Sequence, residues 1–246
     1  MQAVILAAGL GKRLKEYTKD VPKCMVAVNG VTMIERLLRQ LDDKGLSGVT
    51  IVTGYKEETL RKYVGSLGLS TPIAFIDNPI YDKTNNIYSL ALAKDRMLED
   101  DTVLFESDLV FDDAIIDRIL SDTRSAVAVV AKYEDWMDGT CVTVDSNDLI
   151  TRFIPKKDQI PEERGGYYKT VNVYRFSKEF VERFYIPFMD AYRHAMGENE
   201  YYEQVLRIIT MLDKPMVGAL VLENEKWYEI DNAEDLANAA KLFAVH

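Results

Sequence analysis

The chain opens with an almost unbroken apolar run, Gln2-Ala3-Val4-Ile5-Leu6-Ala7-Ala8, that stops at Gly9-Leu10-Gly11. A short run of this kind, without polar alternation, marks a β-strand covered on both faces. Such strands belong to parallel sheets with helices packed on each side. The next hundred residues follow the same logic. Strand-like segments at 49–53, 72–76, 102–106 and 125–131 alternate with helix-like segments at 32–43, 57–64, 86–97 and 113–121. In the first of these helices Thr32 and Glu35 have capping-box spacing, ahead of an apolar stripe of Met33, Ile34, Leu37, Leu38 and Leu41. This βαβα order predicts an α/β fold with a mostly parallel sheet flanked by helices. From Thr140 the pattern changes. Short alternating strands at 141–145, 150–154 and 167–176 predict a small antiparallel portion along one side of a cleft. Helices at 178–185, 187–196 and 200–211, strands at 216–221 and 227–230, and a helix at 233–243 complete the expectation. Nothing linker-like interrupts the 246 residues, of which 48% are hydrophobic, so a single domain over 1–246 with one large core is expected.

The glycines after the first strand carry the chemistry. Without Cβ atoms, Gly9 and Gly11 allow backbone N–H groups to face phosphates, and the small Ala7 and Ala8 leave room for a base or sugar. The loop is not a Walker A motif, since no Gly-Lys-Ser/Thr follows. It is not a full dinucleotide fingerprint, since Leu14 stands where a third glycine would be. Charge points the same way. The net charge of −10 argues against nucleic acid or a membrane surface as partner. Yet Lys12, Arg13, Lys15, Lys19 and Lys23 face only Glu16 and Asp20 within the first 25 residues. That excess suits a small anionic ligand, and it also suits a solvated loop. Cys24 and Cys141 have no metal-type spacing, and the opening apolar run is too short for a signal peptide or a membrane span. A reduced, cytoplasmic protein is expected.

Taken whole, Leu6-Ala7-Ala8-Gly9-Leu10-Gly11-Lys12-Arg13 with Thr18 and Pro22-Lys23 resembles the signature of the nucleotidyltransferases that activate sugar phosphates, phosphocholine and related small phosphates. The resemblance extends over the whole chain. It is closest to the small bacterial cytidylyltransferases, those acting on 2-aminoethylphosphonate first and on phosphocholine second. It implies a Rossmann-like nucleotidyltransferase sheet and Mg²⁺-dependent transfer of CMP from CTP to a small phosphonate or phosphomonoester. A sugar 1-phosphate is a further alternative acceptor. It implies that Asp108, after the strand at 102–106, and Asp231, after Trp227-Tyr228-Glu229-Ile230, hold Mg²⁺. By residue type alone either acid also fits a helix cap or a turn. Lys23 and Arg13, with Lys12, fall where fixed cations stabilise charge at the α-phosphorus and on departing pyrophosphate. Asn85 and Asn86 fall near the pyrimidine and Ser107 near the nucleoside, although either Asn also fits an N-cap. An ionised acceptor oxygen needs no general base, and His194 and His246 read as surface residues.

For the acceptor, an ammonium calls for carboxylates or aromatic faces. Candidates are Tyr133, Glu134, Asp135, Trp136 and Asp138, together with Glu203, Trp227 and Glu229. Lys169 and Asn172 suit the anionic end. Each aromatic residue also fits plain packing. On this reading residues 1–132 bind nucleotide and 133–230 bind acceptor. Apolar surface that would allow a homodimer is expected, and the resemblance also allows a longer chain carrying a pyridoxal-phosphate aminotransferase domain.

Overall fold

The computed structural model describes residues 1–214 and 216–244; His246 lies outside the described residues. The strand β1 (Gln2–Ala7) is buried along its whole length. A small hairpin of β2 (Ala27–Val28) and β3 (Val31–Thr32) leads into α1 (Met33–Asp42). Thr32 caps α1 by accepting from the Glu35 backbone N–H at 3.1 Å. The return half of the expected capping box is missing, because the Glu35 carboxylate instead accepts from Tyr63 and Arg39. Then follow β4 (Val49–Thr53), α2 (Glu57–Gly65), β5 (Ile73–Asp77), α3 (Asn86–Leu92), α4 (Lys94–Met97), β6 (Thr102–Glu106), β7 (Leu109–Phe111), α5 (Asp113–Ser121) and β8 (Ala126–Lys132). The second half holds β9 (Cys141–Val144), β10 (Ile150–Ile154), β11 (Tyr168–Phe176), α6 (Lys178–Phe180), a π-turn at Val181–Tyr185, α7 (Ile186–Met196), α8 (Glu203–Ile209), β12 (Gly218–Val221), β13 (Trp227–Glu229) and α9 (Ala233–Leu242).

The main sheet runs β10-β9-β11-β6-β1-β4-β5, with β8 pairing to β11 and β12. Its central run is parallel: β1 lies between β6 and β4, and β4 pairs with β5. Side chains of β1 alternate between two cores. Ala3, Ile5 and Ala7 enter the cluster under α1 and α5, while Val4 and Leu6 enter the cluster under α3, α7 and α8. This two-sided burial is what the unbroken apolar run anticipates. Among the described residues no helix is long and apolar enough to cross a membrane.

Three features differ from the expectation. The helix at 86–97 is two helices, since Ala93 leaves helical geometry at φ −89° and ψ 2°. The antiparallel portion is built into the sheet, because β11 pairs with β6, β8 and β9. And β7, too short to show a period, pairs with β13 in a separate ribbon. Both cysteines are free and buried, each 1% exposed. Burial pushes the Cys24 thiol up to about 12 and the Cys141 thiol up to about 11, so thiolate is scarce at pH 8. A disulfide-exchange reagent at pH 8 should therefore modify neither thiol in the native protein and both after unfolding. Rapid labelling of the native protein would contradict this packing.

Candidate active site

A cavity of about 650 Å³ opens where β1 and β6 end. It lies at the carboxyl ends of parallel strands, where loops diverge and ligands of open α/β sheets collect. Its near wall is the glycine loop. Gly11 sits at φ +61°, and a Cβ there would meet Thr18 Cγ2 at 2.9 Å and Lys23 Cβ at 3.0 Å. A glycine is required, and its absence of side chain is what admits Lys23 to the cavity. Thr18 fixes the turn by donating its hydroxyl to the Gly11 carbonyl at 3.0 Å. On the opposite edge, Gly54 allows Tyr81 to close against Ala8: a Cβ there would meet Tyr81 Cβ at 2.7 Å and the Ala8 carbonyl oxygen at 2.9 Å.

The Lys23 ammonium reaches into the centre. It bonds Asp108 Oδ2 at 2.5 Å and Asp231 Oδ1 at 2.7 Å. Burial alone would lower the pKa of this ammonium, but the charges of Asp108 and Asp231 more than reverse that and raise it. Arg13 Nη2 adds a second contact to Asp231 Oδ1 at 2.7 Å. The β7–β13 ribbon brings the two acids together, and the Ile230 N–H donates to the Asp108 carbonyl at 2.9 Å. Asp231 is not the cap of α9. Asn232 fills that role in a full capping box with Asp235, whose carboxylate also accepts from the Asp231 N–H at 2.9 Å. The Asp231 side chain is thus left for the cavity.

Glu229 joins these acids: one oxygen each from Asp108, Glu229 and Asp231 lie within 4.8 Å of one another. Asp108 Oδ1 is buried with no hydrogen-bond partner. An all-oxygen donor set with an unpaired buried carboxylate oxygen fits a hard divalent cation such as Mg²⁺. Glu229 is held from behind by Lys169 Nζ at 3.3 Å and by Asn172 Nδ2 at 3.1 Å. Asn172 takes φ +60° in β11, at the bulge against β8, and this conformation aims its amide at Glu229. Burial pushes the Glu229 carboxyl up to about 7, against Lys169, which lowers it, and with Asp108 and Asp231, which raise it further.

Several expected residues have different local roles. Asn85 is the N-cap of α3, accepting from the Asn86 N–H at 2.8 Å. The Asn86 amide is spent inside the protein: its Nδ2 donates to Glu106 at 3.1 Å and its Oδ1 accepts from the Tyr202 N–H at 3.0 Å. Both, with Ser107, line the cavity. Glu203 lines it too, with its oxygens taken by three hydroxyls: Tyr174 at 2.5 Å, Thr140 at 2.7 Å and Thr170 at 3.1 Å. Lys12 is exposed at the mouth. Trp136 stacks on Tyr228 at 4.5 Å and tilts against Trp227 at 5.6 Å, forming a smaller recess beside Arg13 and Glu229.

Tyr133 and Glu134, expected near the acceptor, line neither recess. Tyr133 packs on the core with the Arg164 guanidinium 5.6 Å from its ring, and Glu134 accepts from the Trp136 indole N–H at 2.9 Å on an exposed loop. His194 is exposed, as expected. Residues not anticipated include Asn78, Tyr81, Thr140, Tyr202 and Glu106. Only Glu106 left a signal, as a lone charge closing the apolar strand 102–106.

Against known proteins, a family model described as the MobA-like NTP transferase domain matches residues 3–171. A CMP-5'-(3-aminopropyl)phosphonate synthase from Streptomyces rubellomurinus is 26% identical over 97% of this chain, which spans only 38% of that relative. A 2-aminoethylphosphonate cytidylyltransferase from Lancefieldella rimae is 27% identical over 96% of this chain and 90% of its own length. The solved structure of the CTP:phosphocholine cytidylyltransferase of Streptococcus pneumoniae superimposes with a TM-score of 0.80 at 23% identity, covering 99% of both chains.

The Lys23 contacts make a stability prediction. Removing the ammonium in Lys23→Met leaves neighbouring carboxylates facing one another, at an expected cost of about 3 kcal/mol. Urea unfolding should show a lower midpoint, partly restored by millimolar Mg²⁺. A midpoint equal to wild type would mean that Lys23 does not hold the acids together.

Proposed function

The chain belongs to the MobA-like NTP transferase family and is a nucleotidyltransferase, and from that premise we propose that it transfers CMP from CTP to 2-aminoethylphosphonate and releases pyrophosphate. One observation carries the reading. Asp108 and Asp231 converge on Lys23 beside the glycine loop, and Glu229 brings a third carboxylate to within 4.8 Å of both acids. Both curated relatives above carry names of phosphonate-activating enzymes, which supports a small amino-phosphonate as acceptor.

In this reading the nucleotide lies along the part built from residues 1–132, with its base between Ala8 and the Asn85–Ser89 turn and its phosphates on the Gly9–Lys23 loop. The acceptor enters from the part built by residues 133–230. A phosphonate oxygen, already ionised at neutral pH, attacks the α-phosphorus in line. A new P–O bond forms, the α–β bridging bond breaks, and the electron pair leaves with pyrophosphate. Lys23 and Arg13 hold positive charge beside that oxygen-rich transition state, and Lys12 adds charge at the mouth. Asp108 and Asp231, with Glu229 beside them, would hold a divalent cation, whose chemistry is to neutralise phosphate charge and to align the phosphate oxygens. Lys169 and Asn172 keep Glu229 in place.

A second reading has an observation of its own. The stack of Trp136, Tyr228 and Trp227 beside Glu229 offers aromatic faces to a quaternary ammonium, which would suit phosphocholine.

Pyrophosphate release with Mg²⁺ and CTP, comparing the two acceptors at equal concentration, separates the readings. The expected outcome is release with 2-aminoethylphosphonate in excess of phosphocholine, and a loss of roughly 100-fold or more in kcat for Asp108→Ala. Release with phosphocholine alone would overturn the choice of acceptor, and full activity of Asp108→Ala would overturn the assignment of the cation site.

A further inference from the structure

Six carboxylates line the cavity, and five have their charge answered by the protein. Asp231 meets Lys23 and Arg13, and Asp138 meets Lys156. Asp108 meets Lys23. Glu229 meets Lys169 and Asn172. Glu203 accepts from three hydroxyls. Glu106 is the exception. It lines the cavity, and among the described residues its only hydrogen bond comes from the neutral Asn86 amide at 3.1 Å, with no cation within ion-pair distance. Asn86 is itself pinned by the Tyr202 N–H, so the Glu106 carboxylate is held in one orientation.

We propose that Glu106 binds the primary ammonium of the acceptor, so that this residue selects amino-phosphonates over phosphonates lacking the amine. The inference rests on the acceptor proposed above. A carboxylate in a largely enclosed site is costly without a counter-charge, and a ligand ammonium supplies one only while it is bound. A primary ammonium presents up to three N–H donors to such a group, whereas a trimethylammonium has none. The aromatic faces that would suit the latter lie in the adjoining recess at Trp136. Position agrees as well. Glu106 precedes Asp108 by two residues, so their backbones are at most about 7 Å apart, a span that one small molecule bridges from the reacting phosphonate to Glu106. Glu203, with its oxygens already occupied, is a brace for this floor and not the ammonium site.

The test compares wild type with Glu106→Gln, a variant that keeps an acceptor atom for Asn86. The probes are 2-aminoethylphosphonate as substrate and ethylphosphonate, which has the same anion and no amine, as competitive inhibitor. In Glu106→Gln the KM for 2-aminoethylphosphonate should rise about ten-fold or more, while the Ki of ethylphosphonate and the KM of CTP shift less than about two-fold. An unchanged KM for the amine-bearing acceptor would overturn the inference. So would an equal loss for both phosphonates, which is what a purely structural role gives. If wild type binds the two phosphonates equally, the acceptor proposal falls and this inference with it. If wild type discriminates and the variant does so equally well, only the role of Glu106 falls.

Discussion

Asp108 and Asp231 stand close enough for one ammonium to touch both, and that ammonium belongs to Lys23, from a third part of the chain. Two carboxylates at that separation repel each other, so the arrangement persists only with a cation between them. Much of the surrounding structure serves this contact. Gly11 clears the path for the Lys23 side chain, and Thr18 locks the turn that Gly11 makes. The β7–β13 ribbon, too short to be stable by itself, is pinned between α9 and the main core so that both acids project from one edge. Asn232 and Asp235 take over the capping of α9 and leave Asp231 unspent.

Behind that charged centre lies a floor of a different kind. Glu203, Lys169, Thr140, Thr170 and Tyr174 form a buried polar network in which nearly every group has a partner. Satisfied networks of this sort rigidify a site, because moving any member strands another. The rim is built otherwise. Lys12, Arg13 and Trp136 are exposed, with Arg13 held to Asp231 and Trp136 stacked on Tyr228. A satisfied polar floor with an exposed charged rim suits a ligand that is gripped at its phosphates and admitted from solvent.

The layout of the fold was legible because burial on both faces leaves a mark in sequence: the apolar runs at β1, β4, β6 and β8 became the centre of the sheet. The loop and its acids were legible through a resemblance, and the structure adds that Lys23, Arg13, Asp108 and Asp231 meet in one cluster. The polar floor was less legible. Whether Asn86 reads a ligand or ties Glu106 to Tyr202 depends on α8, more than a hundred residues away, and no local pattern encodes that. Tyr133 and Glu134 illustrate the same limit, since residue type suggested a ligand wall while Tyr133 packs on the core and Glu134 lies on an exposed loop. Neither the antiparallel pairing of β11 with β6 nor the bulge at Asn172 has a sequence period to announce it.

The central claim is that Asp108 and its neighbours hold a divalent cation together with nucleotide. It is tested most directly by titrating Mn²⁺ into the protein with CTP and following free Mn²⁺ by electron paramagnetic resonance, for wild type and for Asp108→Asn. The account predicts one tightly held Mn²⁺ per chain in wild type with CTP, and at least roughly ten-fold weaker binding in the variant. Equal Mn²⁺ affinity in the two proteins would contradict it.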